Sequence, residues 1–381
     1  MSGSWMFVQP RRIGRGAALP LVFAGVLLTG FAAGSWTTDG PPQDDARGPG
    51  GVPPGAVAEP ERRGANDAQD AVSRSGDRWS AAYTAREYEG VRDALDGRYV
   101  GVGIAVRGGH GAPVEVARVA EGSPAERAGI RPGDRLRTVD GRDVTGLPVT
   151  EVVARLRGDA LAAAEGSRVE LGLGRAGREW AATLERAGLE AEVVTAERLR
   201  HGITRIKVTA FTTGSGETLA AAVAALPPGE SVVLDLRGNS GGLLLEATKV
   251  ASAFLDGGLV ATWGEGEDQH ALYAEPGGDT ESPLVVLVDG GSMSAAELLA
   301  GALQDRGRAL VVGGRTFGKG SVQVPHEQPD GSVAELTVGE YATPGGRTLE
   351  GVGLQPDVAV EGGESAQDKA VTVLSGLAAR A

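Results

Sequence analysis

The sequence predicts a layered α/β domain preceded by a smaller β-rich unit, and three observations carry that expectation. The chain has 381 residues, too many for one ordinary domain and enough for two with separate cores. From residue 188 onward, apolar strand runs alternate with segments of helical length, the texture of a sheet covered by helices. Residues 99–187 read differently, as short alternating strands broken by glycine, with short helices between them.

In the C-terminal part the strand runs are Ile203 to Val208, Ser231 to Leu236, Leu284 to Val288 and Ala309 to Val312. Between them Gly242 to Phe254 and Ser294 to Gln304 have helical length and period. In the β-rich unit Val100, Val102, Ile104 and Val106 alternate as a strand interrupted by Gly101 and Gly103, and such glycines free backbone N–H groups to face a ligand. Ser123 to Ile130 reads as a short helix with serine as N-cap, proline in the first turn and Gly129 at the exit. A turn at Arg131 to Asp134 follows, then a strand through Leu136 and Val139 into a tight turn at Asp140-Gly141. Thr150 to Leu156 sets Val152, Val153 and Leu156 on one helical face, and Val169 to Leu173 closes the unit as a strand.

Upstream, Trp79, Tyr83, Tyr88, Val91 and Leu95 fall at roughly helical spacing before Gly97, so residues 77–98 are expected to form a helical lead-in. Residues 37–76 are rich in Pro, Gly, Ala, Asp and Arg without a hydrophobic period, the composition of a disordered tether. Within residues 1–36, Arg11, Arg12 and Arg15 precede an apolar run from Ala17 to Gly34, an export pattern. At about eighteen residues the run sits at the lower limit for crossing a bilayer and suits an uncleaved anchor or a long signal peptide. Either places the bulk of the chain outside the cytoplasm, held at the membrane by its N-terminal segment or secreted.

Composition narrows the function classes. Thirty-seven basic against 50 acidic residues leave a formal charge of −13, which repels nucleic acid and anionic lipid as main partners. Cysteine is absent, which excludes disulfides, zinc thiolates and a cysteine nucleophile. His110, His201, His270 and His326 show no metal-binding spacing, so neither metal nor cofactor is expected.

Three segments carry chemistry. Val233 to Gly242 is a strand feeding a glycine turn and then a helix, a geometry that presents amides with partial positive charge. Val288 to Glu297 repeats the strand, glycine turn and helix, now with Ser292 and Ser294 at the helix start, where a serine also serves as a plain N-cap. Thr316 to Gln323 holds a glycine-flanked Lys319 beside a strand. The chain has four lysines against 33 arginines; a lysine at such a place points to a need for a side chain that can lose its proton. The run Gly238 to Gly242 also looks like the nucleophile loop of trypsin-like proteases, but that chemistry needs an upstream His and Asp in suitable contexts. Only His110 and His201 precede it, neither in such a context.

Two resemblances follow from these residues. The stretch GSPAERAGIRPGDRLRTVDG, with its flanking strands, resembles a PDZ domain over residues 99–187. That resemblance implies a groove between the Ile104 strand and the Thr150 helix, where an extended peptide adds as a strand and its terminal carboxylate meets the Val102, Gly103 and Ile104 amides. The three chemical segments together resemble the C-terminal processing peptidases, or tail-specific proteases, over residues 77 to 357. This implies an α/β catalytic core built like the crotonase and Clp-protease folds over residues 188–381, and a serine endopeptidase with Ser294 as nucleophile, Lys319 as general base and Gln323 as its orienter. Gly241 and Ala295 are then expected to lend oxyanion-hole amides. Asp77 to Tyr83 resembles the family's lead-in; Thr343 to Arg347 and Gln355 to Val358 resemble its closing segment. Ser240, Asp289 and Ala296 depart from common family choices without touching the expected catalytic atoms. The implied partners are protein substrates with flexible, apolar C-terminal tails, and the competing reading is a catalytically silent adaptor that only tethers them. The sequence carries no sign of oligomeric state.

Overall fold

A computed structural model describes residues 21–22 and 66–378, except 110–111, 158–163, 201 and 265–268. The C-terminal part is organised by a sheet whose parallel strands are Ile203–Val208, Ser231–Asp235, Leu284–Val288, Leu310–Gly313 and Val358–Ala359, side by side in that order. Val194–Arg200 pairs antiparallel at one edge. The central strands Ser231–Asp235 and Leu284–Val288 are buried at every position, as strands covered on both faces must be. One face, through Val232, Leu234 and Val286, packs with the helices Leu244–Ser252 and Ala295–Asp305. The other, through Val233, Val285 and Leu287, packs with Val371 and Leu374 of the helix Ala366–Ala378. Both glycine turns leave the carboxyl ends of these two neighbouring strands, where ligand sites form in open parallel sheets.

A second sheet supplies the rest of the site. Ser321–Glu327 pairs antiparallel with Val333–Ala342, which also pairs with Gly258–Trp263 and with Ala81–Tyr83. The β-rich unit is an antiparallel sheet in the order Ile104–Gly109, Ala112–Val119, Arg135–Val139, Arg168–Arg175, Arg178–Glu185, with Val116, Val144, Val152 and Leu171 in its core. The helix Val149–Arg157 covers the expected stretch. Strands Arg98–Gly101 and Ala187–Glu190 pair with each other, so the chain enters and leaves this unit through one two-stranded stem.

Two expectations are corrected. The lead-in is not helical throughout: Ala81–Tyr83 is a strand on the edge of Val333–Glu335, and the helix runs only over Ala85–Leu95. Its start is fixed by Thr84, whose hydroxyl accepts from Glu87 N–H while the Glu87 carboxylate accepts from Thr84 N–H, a capping box that outweighs the upstream aromatic spacing. The segment 37–76 is not disordered to its end, because Asn66–Ser75 is a helix. Ala68 is buried there and its N–H donates to Ser332 Oγ, so docking supplies what composition lacks. The rest of 37–76 lies outside the described residues.

Of the expected signal or anchor, only Leu21–Val22 is described, as a short strand antiparallel to Gly242–Leu243 on one side and facing Gln323 on the other. Among the described residues no helix is long and apolar enough to cross a membrane.

Candidate active site

Ser294 sits where the strand Leu284–Val288 has turned through Asp289 to Met293 and the helix Ala295–Asp305 begins. Its backbone has φ 58° and ψ −117°, a conformation that costs a non-glycine residue about 1–3 kcal/mol and persists only where its surroundings enforce it. Ser294 is fully buried and, among the described residues, its Oγ has no hydrogen-bond partner, so the hydroxyl does not cap the helix that Ser294 starts. A strained strand-to-helix turn presenting an unengaged hydroxyl is the geometry of a nucleophile elbow. Asp289, one of the departures noted above, accepts from the N–H groups of Gly238 and Gly291 at 2.9 Å each, tying the Ser294 turn to the first glycine turn.

Lys319 is 1 % exposed. The other three lysines pair with carboxylates: Lys207 with Asp235, Lys249 with Glu246, Lys369 with Glu364. Lys319 instead has Nζ 5.2 Å from the centre of the Trp79 ring. Burial pulls its pKa down to about 8, against the opposing pull of the Glu335, Glu350 and Asp77 carboxylates. Such a lysine supplies a neutral amine near physiological pH, as general-base work requires.

Two side chains that sequence reading did not single out join the serine to the lysine. The buried Glu297 carboxylate accepts from Ser294 N–H (2.8 Å) and Lys319 N–H (2.9 Å) through Oε2, and from Gly318 N–H (2.7 Å) and Thr316 Oγ1 (2.5 Å) through Oε1. Burial still raises its pKa despite these donors. From the opposite side, the buried Tyr341 hydroxyl lies 3.0 Å from the Ser294 carbonyl and 2.8 Å from the Lys319 carbonyl. The spacing Ser294-x-x-Glu297 is a capping-box signature and was the available signal for Glu297; Tyr341 had none. The lysine loop is held from outside by Glu350, which accepts from Gly320 N–H, from Trp79 Nε1 and from Arg78. A Cβ on Gly320 would lie 2.7 Å from the Glu350 nitrogen, so that approach requires glycine.

Gln323 is buried on the lysine-side strand, opposite Thr337 at a β-bulge, and bulges re-aim side chains beside active sites. Its Nε2 lies 2.8 Å from Ser321 Oγ and 3.1 Å from Thr337 Oγ1, while Oε1 is buried and, among the described residues, without a partner.

Gly241 lies against Ser294: a Cβ there would be 3.1 Å from Ser294 Cβ and 3.4 Å from Ala295 N, and its φ is +101°. The expectation that Gly241 lends its amide is corrected by the position of Asn239, whose Oδ1 takes that N–H at 2.8 Å. Ala295 N–H belongs to the first helical turn, whose amides have no intrahelical acceptor. In the β-rich unit, the Val102 and Gly103 carbonyls accept from Ala125 and Ala120 N–H. Among the described residues, Ile104 opens an edge strand paired only with Ala112–Val119, and the helix Val149–Arg157 packs nearby. Among the described residues no cluster of His, Asp and Glu could hold a metal ion.

Comparison with known proteins agrees with this geometry. Residues 202–360 match the model of peptidase family S41, and residues 115–173 match a PDZ domain. The chain is 34 % identical over 274 residues to the carboxy-terminal processing protease CtpA of Bacillus subtilis, covering 71 % of this chain and 58 % of the relative. It is 33 % identical over 293 residues to the carboxy-terminal-processing protease of Bartonella bacilliformis, covering 74 % and 66 %. The chain therefore spans less than two thirds of the length of these relatives. The crystal structure of a putative S41 protease from Bacteroides fragilis shares the fold, with a TM-score of 0.55 at 18 % identity over 86 % of this chain and 93 % of the other. With an α/β peptidase core preceded by a PDZ domain, the chain belongs to peptidase family S41, the C-terminal processing peptidases.

Proposed function

We propose that this chain is an exported serine endopeptidase that cleaves proteins near flexible, apolar C-terminal tails, with Ser294 as nucleophile and Lys319 as general base. One observation carries the reading: a strained, unengaged serine is stapled by Glu297 and Tyr341 to a buried lysine whose pKa has fallen to about 8.

Neutral Lys319 takes the Ser294 proton as Oγ attacks the substrate carbonyl, and the ammonium formed returns a proton to the leaving amine. The Trp79 ring favours that ammonium from 5.2 Å. Ala295 N–H is the backbone donor for the developing oxyanion, and one such donor is typically worth about 100- to 1000-fold in rate. Water then hydrolyses the acyl-serine with Lys319 again as base. An extended substrate fits the place of Leu21–Val22, between Gly242–Leu243 and Gln323, and pairs there through its backbone. The Val102 to Ile104 turn and the edge strand it opens form the PDZ groove that takes the substrate's terminal carboxylate.

The test is cleavage of a folded protein bearing an unstructured, apolar C-terminal tail, by wild type, Ser294→Ala and Lys319→Ala, with chelator present. Cleavage by wild type alone is expected. Equal tail binding without cleavage by wild type and Ser294→Ala makes the protein an adaptor, and full activity in Lys319→Ala removes the lysine mechanism.

A further inference from the structure

We propose that Asp77 and Thr337 form a proton-ordered relay that fixes the Gln323 amide with Oε1 turned to the lysine side of the site. The proposal rests on Lys319 being the base, and it assigns positioning roles to two residues outside the Ser294, Lys319 and Gln323 set.

The direction of each hydrogen bond follows from what each atom can do. Asp77 is held below the ordinary carboxylate range: burial pushes it up, but hydrogen bonds from Thr337 and Ser80 and from the Trp79 and Ser80 backbone outweigh it. An ionised carboxylate only accepts. The Thr337 hydroxyl, 2.5 Å from Asp77 Oδ2, therefore spends its one proton there. The Ser80 hydroxyl donates to the same oxygen at 2.8 Å and accepts from Thr337 N–H at 3.4 Å, closing a small ring that holds Thr337 at both ends. With its proton committed, Thr337 Oγ1 can only accept from the Gln323 group 3.1 Å away. That group must be the NH₂ end of the amide, whichever way an amide of this shape might otherwise be placed.

The chain Asp77, Thr337, Gln323 thus has one polarity, and it leaves Oε1 as the buried end that is unpartnered among the described residues. An amide oxygen accepts from an ammonium and from a neutral amine alike; an amide NH₂ presented to the same lysine repels the ammonium formed in each half-reaction. Asp77 also faces Lys319 directly by charge, with Glu335 and Glu350; Tyr83 donates to Glu335, and Arg78 pairs with Glu350.

The experiment uses the full chain and the tail substrate above, comparing Thr337→Val, Thr337→Ser and Asp77→Asn. Thr337→Val removes the acceptor while keeping the shape. Its kcat is expected to fall about ten- to a hundredfold with little change in KM, the scale of a misplaced catalytic group, and the acid limb of its pH–rate profile is expected to move to lower pH. Thr337→Ser restores both. Asp77→Asn lowers kcat and moves the limb the same way. The relay is overturned if Thr337→Val keeps its rate and its acid limb, or if Thr337→Ser is impaired as deeply as Thr337→Val, which would make the site one of packing. A wild type that cleaves independently of Lys319 defeats the lysine mechanism instead, a result visible in Lys319→Ala before any relay variant is read.

Discussion

Replacing Lys319 by methionine should make the protein more stable and inactive. A lysine taken from its ordinary 10.5 to about 8 by burial carries a penalty of about 3 kcal/mol in its charged form, at about 1.4 kcal/mol per pH unit. The side chain is 1 % exposed, so solvent does little to soften that cost. Below pH 8 both folded and unfolded chains hold the proton, and the folded one bears the whole penalty. Between 8 and 10.5 the unfolded chain binds more protons than the folded chain, so wild-type stability rises with pH relative to the variant. Above 10.5 the difference is gone. Lys319→Met, which keeps the length of the stem and drops the charge, should gain about 3 kcal/mol at pH 7, roughly 6 to 12 °C in Tm for a domain of this size. Urea unfolding of both proteins at pH 7, 9 and 11 measures it. A variant no more stable than wild type at pH 7, or a gap that ignores pH, refutes the argument.

Three further outcomes follow from the same geometry. The value of kcat/KM should climb with pH and level off above about 8, with a loss of about a hundredfold by pH 6 as the neutral lysine is depleted; a plateau already reached at pH 6.5 points to a different base. Ser294→Gly should release the strain at φ 58° and stabilise the fold by about 1 kcal/mol while abolishing turnover, read by thermal unfolding beside the cleavage assay. Gly241→Ala, whose Cβ would meet Ser294 Cβ at 3.1 Å from a φ of +101°, should cost about 1–3 kcal/mol and most of the activity, while tail-peptide binding by the PDZ unit is unchanged.

Wherever one period dominated, the architecture was legible in the sequence. The buried parallel strands announce themselves as apolar runs, and Leu284–Val288 was bounded to the residue because Pro283 precedes it and the Asp289-Gly290-Gly291 turn follows it. Tertiary pairing won at the N-terminal side: Trp79 to Tyr83 has helical spacing, yet the open edge of Val333–Glu335 claims Ala81–Tyr83 as a strand. The helix Asn66–Ser75 was hidden for a related reason, since its stability comes from a docking site some 260 residues away, as the Ala68 to Ser332 bond shows. For the candidate site, the glycine turns drew attention to the Ser292 and Ser294 segment and a glycine-flanked lysine in an arginine-rich chain drew attention to Lys319, while their pairing came from the family resemblance. Asn239 taking the Gly241 amide was not visible, as an asparagine in a glycine turn reads only as turn chemistry. Tyr341 gave no signal either: its role lies in one hydroxyl reaching two carbonyls, a fact of three dimensions alone.

The span of the bonds around the lysine governs when the site can exist at all. Asp77 reaches Thr337 across 260 residues, Trp79 reaches Glu350 across 271, and Tyr341 closes over Ser294 across 47. Contacts of such separation form late, since each must first overcome the entropy of closing a long loop. A partly folded chain has Ser294 and Lys319 but neither the desolvated pocket around the lysine nor the clamps that join the two. The arrangement around Ser294 and Lys319 is therefore complete only when residues 77–79 meet residues 337–350, which makes it a property of the finished fold and of no shorter piece of the chain.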